Sequence, residues 1–340
     1  MKYLSKLMAM LMLMALVFPA VSFADVSLVG SGASFPAPLY TTWFKTFSRE
    51  NSGVQVSYQS KGSGAGIRDF QNHVVDFGAS DAAMTPEEIS KVAEGVQLLP
   101  MTAGEIVLTY NLEGVSDLKL PRDVYAGIFL GQITKWDDPA IVKANPGVKL
   151  PSENIVVVAR ADSSGTNFNF TQHLCAISKT FKDKVGFGKT VEWPLSQNLI
   201  KAPKNDGVAA AIKQTPGAIG YVEFGYAQMA KLPMASLQNK AGKFVAPGLK
   251  SGQAALANAV LPENMIVFIT DPDGDGSYPM VTYTWMLFYK TYQDKEKVEW
   301  IHKLIDYCLY KGQAISDKAG YIPMPETVVK KVAAAAKNIK

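Results

Sequence analysis

The sequence predicts an α/β fold with largely parallel sheets. Two observations carry that reading. Strand-like and helix-like segments alternate along most of the chain, and small-residue loops open several of the helices. In such sheets ligands bind beyond the C-terminal ends of the strands.

The elements follow in order. Pro38–Ser48 reads as a helix because Leu39, Trp43, Phe44 and Phe47 recur at helical spacing, a stripe that belongs in a core. Val54–Ser60 alternates apolar and polar residues and reads as a strand. Gly64–His73 is the next helix, Val75–Ala79 a short strand, and Pro86–Ala93 a helix opening on proline. Then come the strand Glu105–Tyr110, the helix Arg122–Leu130, the valine-rich strand Asn154–Ala159 and the helix Thr166–Ile177. Asp206–Gln214 is a helix, and the strand Ile219–Phe224 follows it across Pro216-Gly217. Met265–Ile269 and Thr282–Tyr289, rich in β-branched and aromatic residues, complete the strands. Asp294–Gly312 is an amphipathic helix with Val298, Ile301, Leu304, Ile305 and Cys308 on one face, and Pro325–Ile339 is the last helix. Lys240–Leu261, with several Gly and Lys, reads as an elaborated surface loop.

Composition bounds the function. The 340 residues are 48% apolar and carry 34 Lys+Arg against 30 Asp+Glu, which fits a folded chain long enough for two domains. The net charge of +4 includes Lys2 and Lys6, which lie in a removable segment. So small a charge gives no case for nucleic-acid binding, which wants a concentrated basic face. Two cysteines exclude a disulfide-dense scaffold. Cys308 lies on an apolar helix face and Cys175 on another helix, so both are expected as unpaired core thiols.

Residues 1–24 read as a secretory signal peptide. Lys2 and Lys6 precede the apolar run Leu7–Phe18, Pro19 breaks it, and Ser22 and Ala24 offer small residues for cleavage after Ala24. The run is too short to span a bilayer comfortably. Export as a soluble protein to an oxidising compartment is the expectation.

Three loops place small residues before a helix: Gly30–Pro36, Gly62–Gly66 and Ser163–Thr166. A helix N-terminus offers unpaired N–H groups and the positive end of the macrodipole, and hydroxyls add donors. Any one such loop is also an ordinary cap; three in one chain point to an anion site. Arg160 follows a strand directly and precedes the third loop, which suits bidentate binding of a tetrahedral oxyanion, with Asp162 placed to brace it. Asp81 ends another strand–loop unit. A carboxylate fits an anion site only if the ligand carries a proton, as protonated phosphate does and fully ionised sulfate does not.

With these residues in view, the chain closely resembles the periplasmic phosphate-binding proteins of the high-affinity phosphate ABC transporter, the PstS family. The matching segments are Gly30–Tyr40 (GSGASFPAPLY), Val75–Ala82 (VDFGASDA), Thr134–Asp138 (TKWDD), Arg160–Thr166 (RADSSGT) and Asn205–Phe224 (NDGVAAAIKQTPGAIGYVEF), in family order. The resemblance implies a type II two-lobed periplasmic binding protein. Phosphate lies in the interlobe cleft and two crossover strands form the hinge. It implies lobe 1 at residues 25–101 plus 276–340 and lobe 2 at residues 102–275. Ser34, Phe35 (through its N–H), Ser63 and Asp81 are the implied contacts of the first lobe. Arg160, Ser164, Gly165 and Thr166 are those of the second, with Asp162 bracing Arg160. A monomer serving inner-membrane ABC permease subunits is likewise implied; no cofactor, metal or nucleic acid is expected. Three departures stand out: Ser34 where Thr is common, Ser163 where Gly is expected, and Ala202-Pro203-Lys204 where the approach to Asn205 is otherwise Gly-rich.

Three alternatives remain in the residues. A secreted phosphatase needs a nucleophile with a base, or a metal, yet His73, His173 and His302 are scattered and lie outside these loops. Asp271–Gly276 matches the start of a calcium loop, but Thr282 stands where a bidentate Glu belongs, so an acidic turn is the better reading. Another protonated oxyanion, arsenate, fits the same donors.

Overall fold

The computed structural model describes residues 26–195 and 197–340. The expected signal peptide, residues 1–24, lies outside them. Among the described residues no helix is long and apolar enough to cross a membrane.

The strands are β1 (Val26–Gly32), β2 (Val54–Ser60), β3 (Phe77–Ser80), β4 (Val96–Tyr110), β5 (Lys119–Leu120), β6 (Val156–Arg160), β7 (Leu199–Ala202), β8 (Ala218–Glu223), β9 (Ser236–Gln238), β10 (Phe244–Val245) and β11 (Val281–Tyr289). Eight of them form one sheet in the order β2-β1-β3-β11-β4-β8-β6-β7, and β10-β9-β5 form a small second sheet. β1 runs parallel to β2 and β3, and β6 runs parallel to β7 and β8. Between these flanks, β11 and β4 are antiparallel to each other and to their outer neighbours. The sheet is thus parallel at its flanks and antiparallel at its centre, rather than largely parallel throughout. The chain's path explains this. β4 carries the chain from one flank to the other and β11 brings it back, so the two central strands run in opposite senses.

β4 is buried along all 15 residues. It pairs with β11 as far as Glu105 and with β8 from Ile106 onward. Trp285 stands opposite Pro100 and Thr284 opposite Thr102, so Met101 is an extra residue in a bulge. A proline lacks the N–H a ladder needs, and a bulge is where a strand tolerates one.

The C-terminal segment returns to the β1–β3 flank. Helix Lys295–Leu309 is capped by Asp294, whose carboxylate accepts from the Glu296 and Lys297 N–H groups at 3.0 and 3.2 Å. Its buried face carries Ile301, Leu304, Ile305 and Cys308. Trp43 Nε1, from helix Ala37–Glu50, donates to Gly312 O at 2.9 Å, and the Ile322 N–H donates to Ala103 O at 2.8 Å. Both cysteines are free; Cys308 is a core thiol, whereas Cys175 is only half-buried.

Two further sequence expectations fail. Met265–Ile269 is not a strand: Met265 takes φ +61°, its carbonyl accepts from Trp285 Nε1 at 2.7 Å, and Phe268 packs on Phe168. The apolar run covers the core without entering a ladder. Lys240–Leu261 is not a plain surface loop, since it holds β10 and helix Leu249–Leu256. Glu105 draws that helix onto the sheet, accepting from the Gly248 N–H at 2.7 Å and from Ser251 Oγ at 3.0 Å. Periodicity alone also misses β1, β7 and the short helices Pro139–Ala144, Lys179–Lys184 and Phe224–Ala230.

Burial pushes the Glu105 carboxyl up to about 8 from its ordinary 4.5, against the two donors it accepts from. Between those values the folded protein holds a proton that the unfolded chain has released, so stability falls as pH rises through that window. Glu105→Gln removes this loss. Its melting temperature relative to wild type is expected to improve steadily from about pH 5 to about pH 8.5. A difference that does not change with pH would contradict the assignment.

Candidate anion-binding site

The candidate residues all follow the C-terminal ends of parallel strands. Ser34 and Phe35 lie between β1 and helix Ala37–Glu50, and Ser63 opens helix Ser63–Gln71 after β2. Asp81 follows β3, Arg160 ends β6, and Ser164 caps helix Gly165–Ile177. All nine sequence-predicted residues come together, and every one but Asp162 is buried.

Arg160 is the centre. Its side chain is 1% exposed and its guanidinium forks onto Asp162, with Nε donating to Oδ1 at 2.8 Å and Nη2 to Oδ2 at 2.6 Å. The Lys204 N–H also donates to Asp162 Oδ1, at 2.9 Å. Burial alone would raise the Asp162 carboxyl, but Arg160 holds it below the usual carboxylate range. The other edge of the guanidinium donates to Thr166 Oγ1 at 3.1 Å and reaches Ser34 Oγ at 3.4 Å. One edge is therefore braced and the other is presented to hydroxyls.

Asp81 faces this cation from the opposite flank of the sheet. Its Oδ1 accepts from Thr284 Oγ1 at 2.8 Å, and its Oδ2 lies 3.4 Å from Ser63 Oγ. Burial pushes its carboxyl up to about 7 from 3.8, against the pull of Thr284, Arg160 and Ser63. The site thus holds one permanent cation and two carboxylates before any ligand arrives. An anion entering this balance is repelled unless a proton sits on Asp81 or on the ligand.

The two flanks touch directly here. The Gly64 N–H donates to Ser163 O at 2.9 Å and the Gly165 N–H to Ser63 Oγ at 3.1 Å. A Cβ on Gly64 would lie 2.5 Å from Ser163 Cβ, and one on Gly165 would lie 2.7 Å from Asp81 Cβ. These glycines permit loop-on-loop contact that no side chain would allow. Glu88 and Lys189 form an ion pair across the same seam. Ser163, the unexpected serine, therefore meets a glycine on the facing loop.

Three residues at this site escaped the sequence reading. Asn205 is fully buried and donates through Nδ2 to Ser34 Oγ at 2.9 Å and Thr166 Oγ1 at 3.2 Å. Asn169 Nδ2 donates to the Asp81 carbonyl at 2.7 Å, and Thr284 holds the Asp81 side chain. Asn205 lay inside a matched segment and could have been read from it; Asn169 and Thr284 had no local signal. Ser164 is also more than a donor: its hydroxyl accepts from the Asn167 N–H at 3.0 Å as the helix cap. Phe35 is anchored through its carbonyl, which accepts from Tyr321 OH at 2.6 Å.

The histidines and the acidic turn are engaged elsewhere. His173 Nε2 meets Tyr125 OH at 2.8 Å, His302 Nε2 meets Ile339 O at 3.0 Å, and His73 lies beside Glu94. In the acidic turn, Arg122 occupies both Asp271 oxygens at 2.6 Å and Lys240 pairs with Asp273 at 2.8 Å. Among the described residues no cluster of His, Cys, Asp and Glu is arranged for a metal.

Fold and site together define a two-lobed binding protein, and a family model described as a PBP superfamily domain matches residues 19–310. The phosphate-binding protein PstS of Pasteurella multocida is 39% identical over 331 residues, 95% of this chain and 94% of that protein. The protein of the same name from Haemophilus influenzae is 39% identical over 307 residues, covering 89% of this chain and 90% of its own. The chain belongs to the PstS phosphate-binding protein family, whose members carry the names of binding proteins and not of enzymes. A solved high-affinity periplasmic phosphate-binding protein (PfluDING) with phosphate bound shares the fold at TM-score 0.74 and 20% identity, over 91% of this chain and 93% of its own. A phosphate-binding protein from Stenotrophomonas maltophilia does so at TM-score 0.73 and 21% identity, over the same shares.

Removing the brace leaves Arg160 buried and unpaired. Asp162→Ala is expected to lower the stability of the ligand-free protein by roughly 3 kcal/mol in urea unfolding. A loss under about 0.5 kcal/mol would mean the pair behaves as an exposed one.

Proposed function

We propose that this protein captures inorganic phosphate between two lobes and delivers it to the permease subunits of an inner-membrane ABC transporter. Lobe 1 comprises residues 25–101 and 276–340 and lobe 2 residues 102–275, so the chain crosses between them near residues 101 and 276, the first crossing within β4. The change of partner along β4 and its bulge at Met101 support a crossing within that strand. Residues 1–24 direct export, and the mature protein works in the periplasm as a monomer.

The observation that carries this reading is the convergence of donors from both flanks on a braced guanidinium, with a buried carboxylate among them. Phosphate is held by hydrogen bonds from Ser34, Ser63, Arg160, Ser164 and Thr166 and by the N–H groups of Phe35 and Gly165. Asp162 orients Arg160, and Asn205 orients the Ser34 and Thr166 hydroxyls. Charge-assisted bonds supply most of the strength. Asp81 accepts the ligand's proton. Sulfate offers no such proton, and like charges placed together in a dry site cost several kcal/mol. A site built around one hydrogen rejects an analogue lacking it by about 10⁴–10⁵. Because both lobes bond the ligand, binding favours the closed form, which a membrane partner can distinguish from the open one.

The test is calorimetric. Protein stripped of ligand is titrated with phosphate and with sulfate near pH 8. Tight one-to-one phosphate binding with no sulfate response is expected, and equal binding of both would refute the role of Asp81. Asp81→Asn should narrow the gap between the two anions; an unchanged ratio would sink the account. Gly64→Ala separates closure from contact. Alanine suits a first helical turn better than glycine by about 1 kcal/mol, yet its Cβ meets Ser163. Phosphate affinity is expected to fall about tenfold or more, close to 1.4 kcal/mol, with the melting temperature held. Undiminished affinity would show that the loops do not need this approach.

A further inference from the structure

We propose that Thr284 is a positioning residue for anion selectivity: by holding one carboxylate oxygen of Asp81, its hydroxyl fixes Asp81 as an acceptor toward the ligand. This inference rests on the role given to Asp81 above.

Thr284 lies on β11, the central strand next to β3, and is fully buried. Trp285 pairs with Ser80, so Thr284 comes abreast of Asp81, one step beyond β3. The bulge at Met101 sets Thr284 opposite Thr102 on the other side. In this register Thr284 Oγ1 donates to Asp81 Oδ1 at 2.8 Å. The other oxygen, Oδ2, is left facing Ser63 and the start of helix Gly165–Ile177, where the anion donors converge.

The remaining groups around Asp81 do not substitute for Thr284. Arg160 and Asp162 approach from β6 and act on it with opposite signs. Asn169, from helix Gly165–Ile177, bonds the Asp81 backbone and not its carboxylate. Tyr40, from helix Ala37–Glu50, and Tyr58, from β2, are buried phenols held neutral by burial. The Thr284 bond pulls the Asp81 carboxyl toward its charged form, as Arg160 and Ser63 do, against the effect of burial. Without it Asp81 keeps its proton to higher pH and becomes a donor. A donor at that position welcomes sulfate.

Sulfate is the clean probe, because it stays a dianion across the range in which phosphate itself titrates. Sulfate and phosphate affinities are measured by calorimetry from about pH 5.5 to about pH 8.5 for wild type, Thr284→Val and Thr284→Ser. In Thr284→Val the pH below which sulfate binds is expected to move up by about one unit or more. The phosphate-over-sulfate ratio near pH 8 should fall about tenfold or more. Thr284→Ser restores both, which a packing defect would not allow. If Thr284→Val does not fold, Thr284→Ala carries the same expectation. The proposal is overturned if sulfate binding in the valine or alanine variant follows wild type at every pH. It is equally overturned if the serine variant behaves like valine. Wild type that binds sulfate as well as phosphate near pH 8 overturns the Asp81 reading and this one with it, a failure visible before any variant is made.

Discussion

A charge imbalance organises this molecule. Arg160 is buried between Asp162, which braces it, and Asp81, which faces it across the seam between the two flanks. Taking such groups out of water is costly unless every one has partners. At a separation of about 4 Å, two unit charges at an effective dielectric near 20 still interact by about 4 kcal/mol. One cation therefore cannot satisfy two carboxylates and an incoming dianion together. A proton must enter the balance, and burial has already moved Asp81 to about 7, where gaining or losing one costs little. Selectivity on this view follows from the electrostatics of burial, with shape secondary.

The fold meets this constraint by bringing the ends of parallel strands from both flanks to one seam. Each flank supplies helix N-termini, and β4 and β11 hold the flanks in one sheet while letting the chain cross twice. The contact at the seam is unusually close, because Gly64 and Gly165 present no Cβ to Ser163 and Asp81. Side chains there would hold the flanks apart and leave the charges wet, and in water the same hydrogen bonds would contribute far less. Glycine in these loops serves the contact between the flanks as much as turn geometry.

What the sequence revealed depended on how local each signal was. The Arg160–Asp162 pair is two residues apart and was readable as a brace, as were the serine and glycine helix starts at 63 and 164–166. Thr284 sits in a run of β-branched and aromatic residues that announces only a strand; its partner is 203 positions away. Asn169 reads as an ordinary helix residue until its helix is set against Asp81. Long-range pairing also decided the failures. Glu105 folds the segment after Gly248 onto the sheet, and Trp285 holds Met265 out of a ladder. Trp136, in the matching segment Thr134–Asp138, donates to Gly217 O at 2.9 Å, just ahead of β8.

The most direct measurement is a neutron diffraction structure of crystals grown with phosphate, which locates the hydrogens themselves. The account predicts phosphate against the edge of Arg160 that faces the Ser34 and Thr166 hydroxyls, with a hydrogen lying between Asp81 Oδ2 and a phosphate oxygen. A phosphate oxygen turned toward Asp81 with no hydrogen between them, or an Asp81 side chain turned away from the anion, would contradict it.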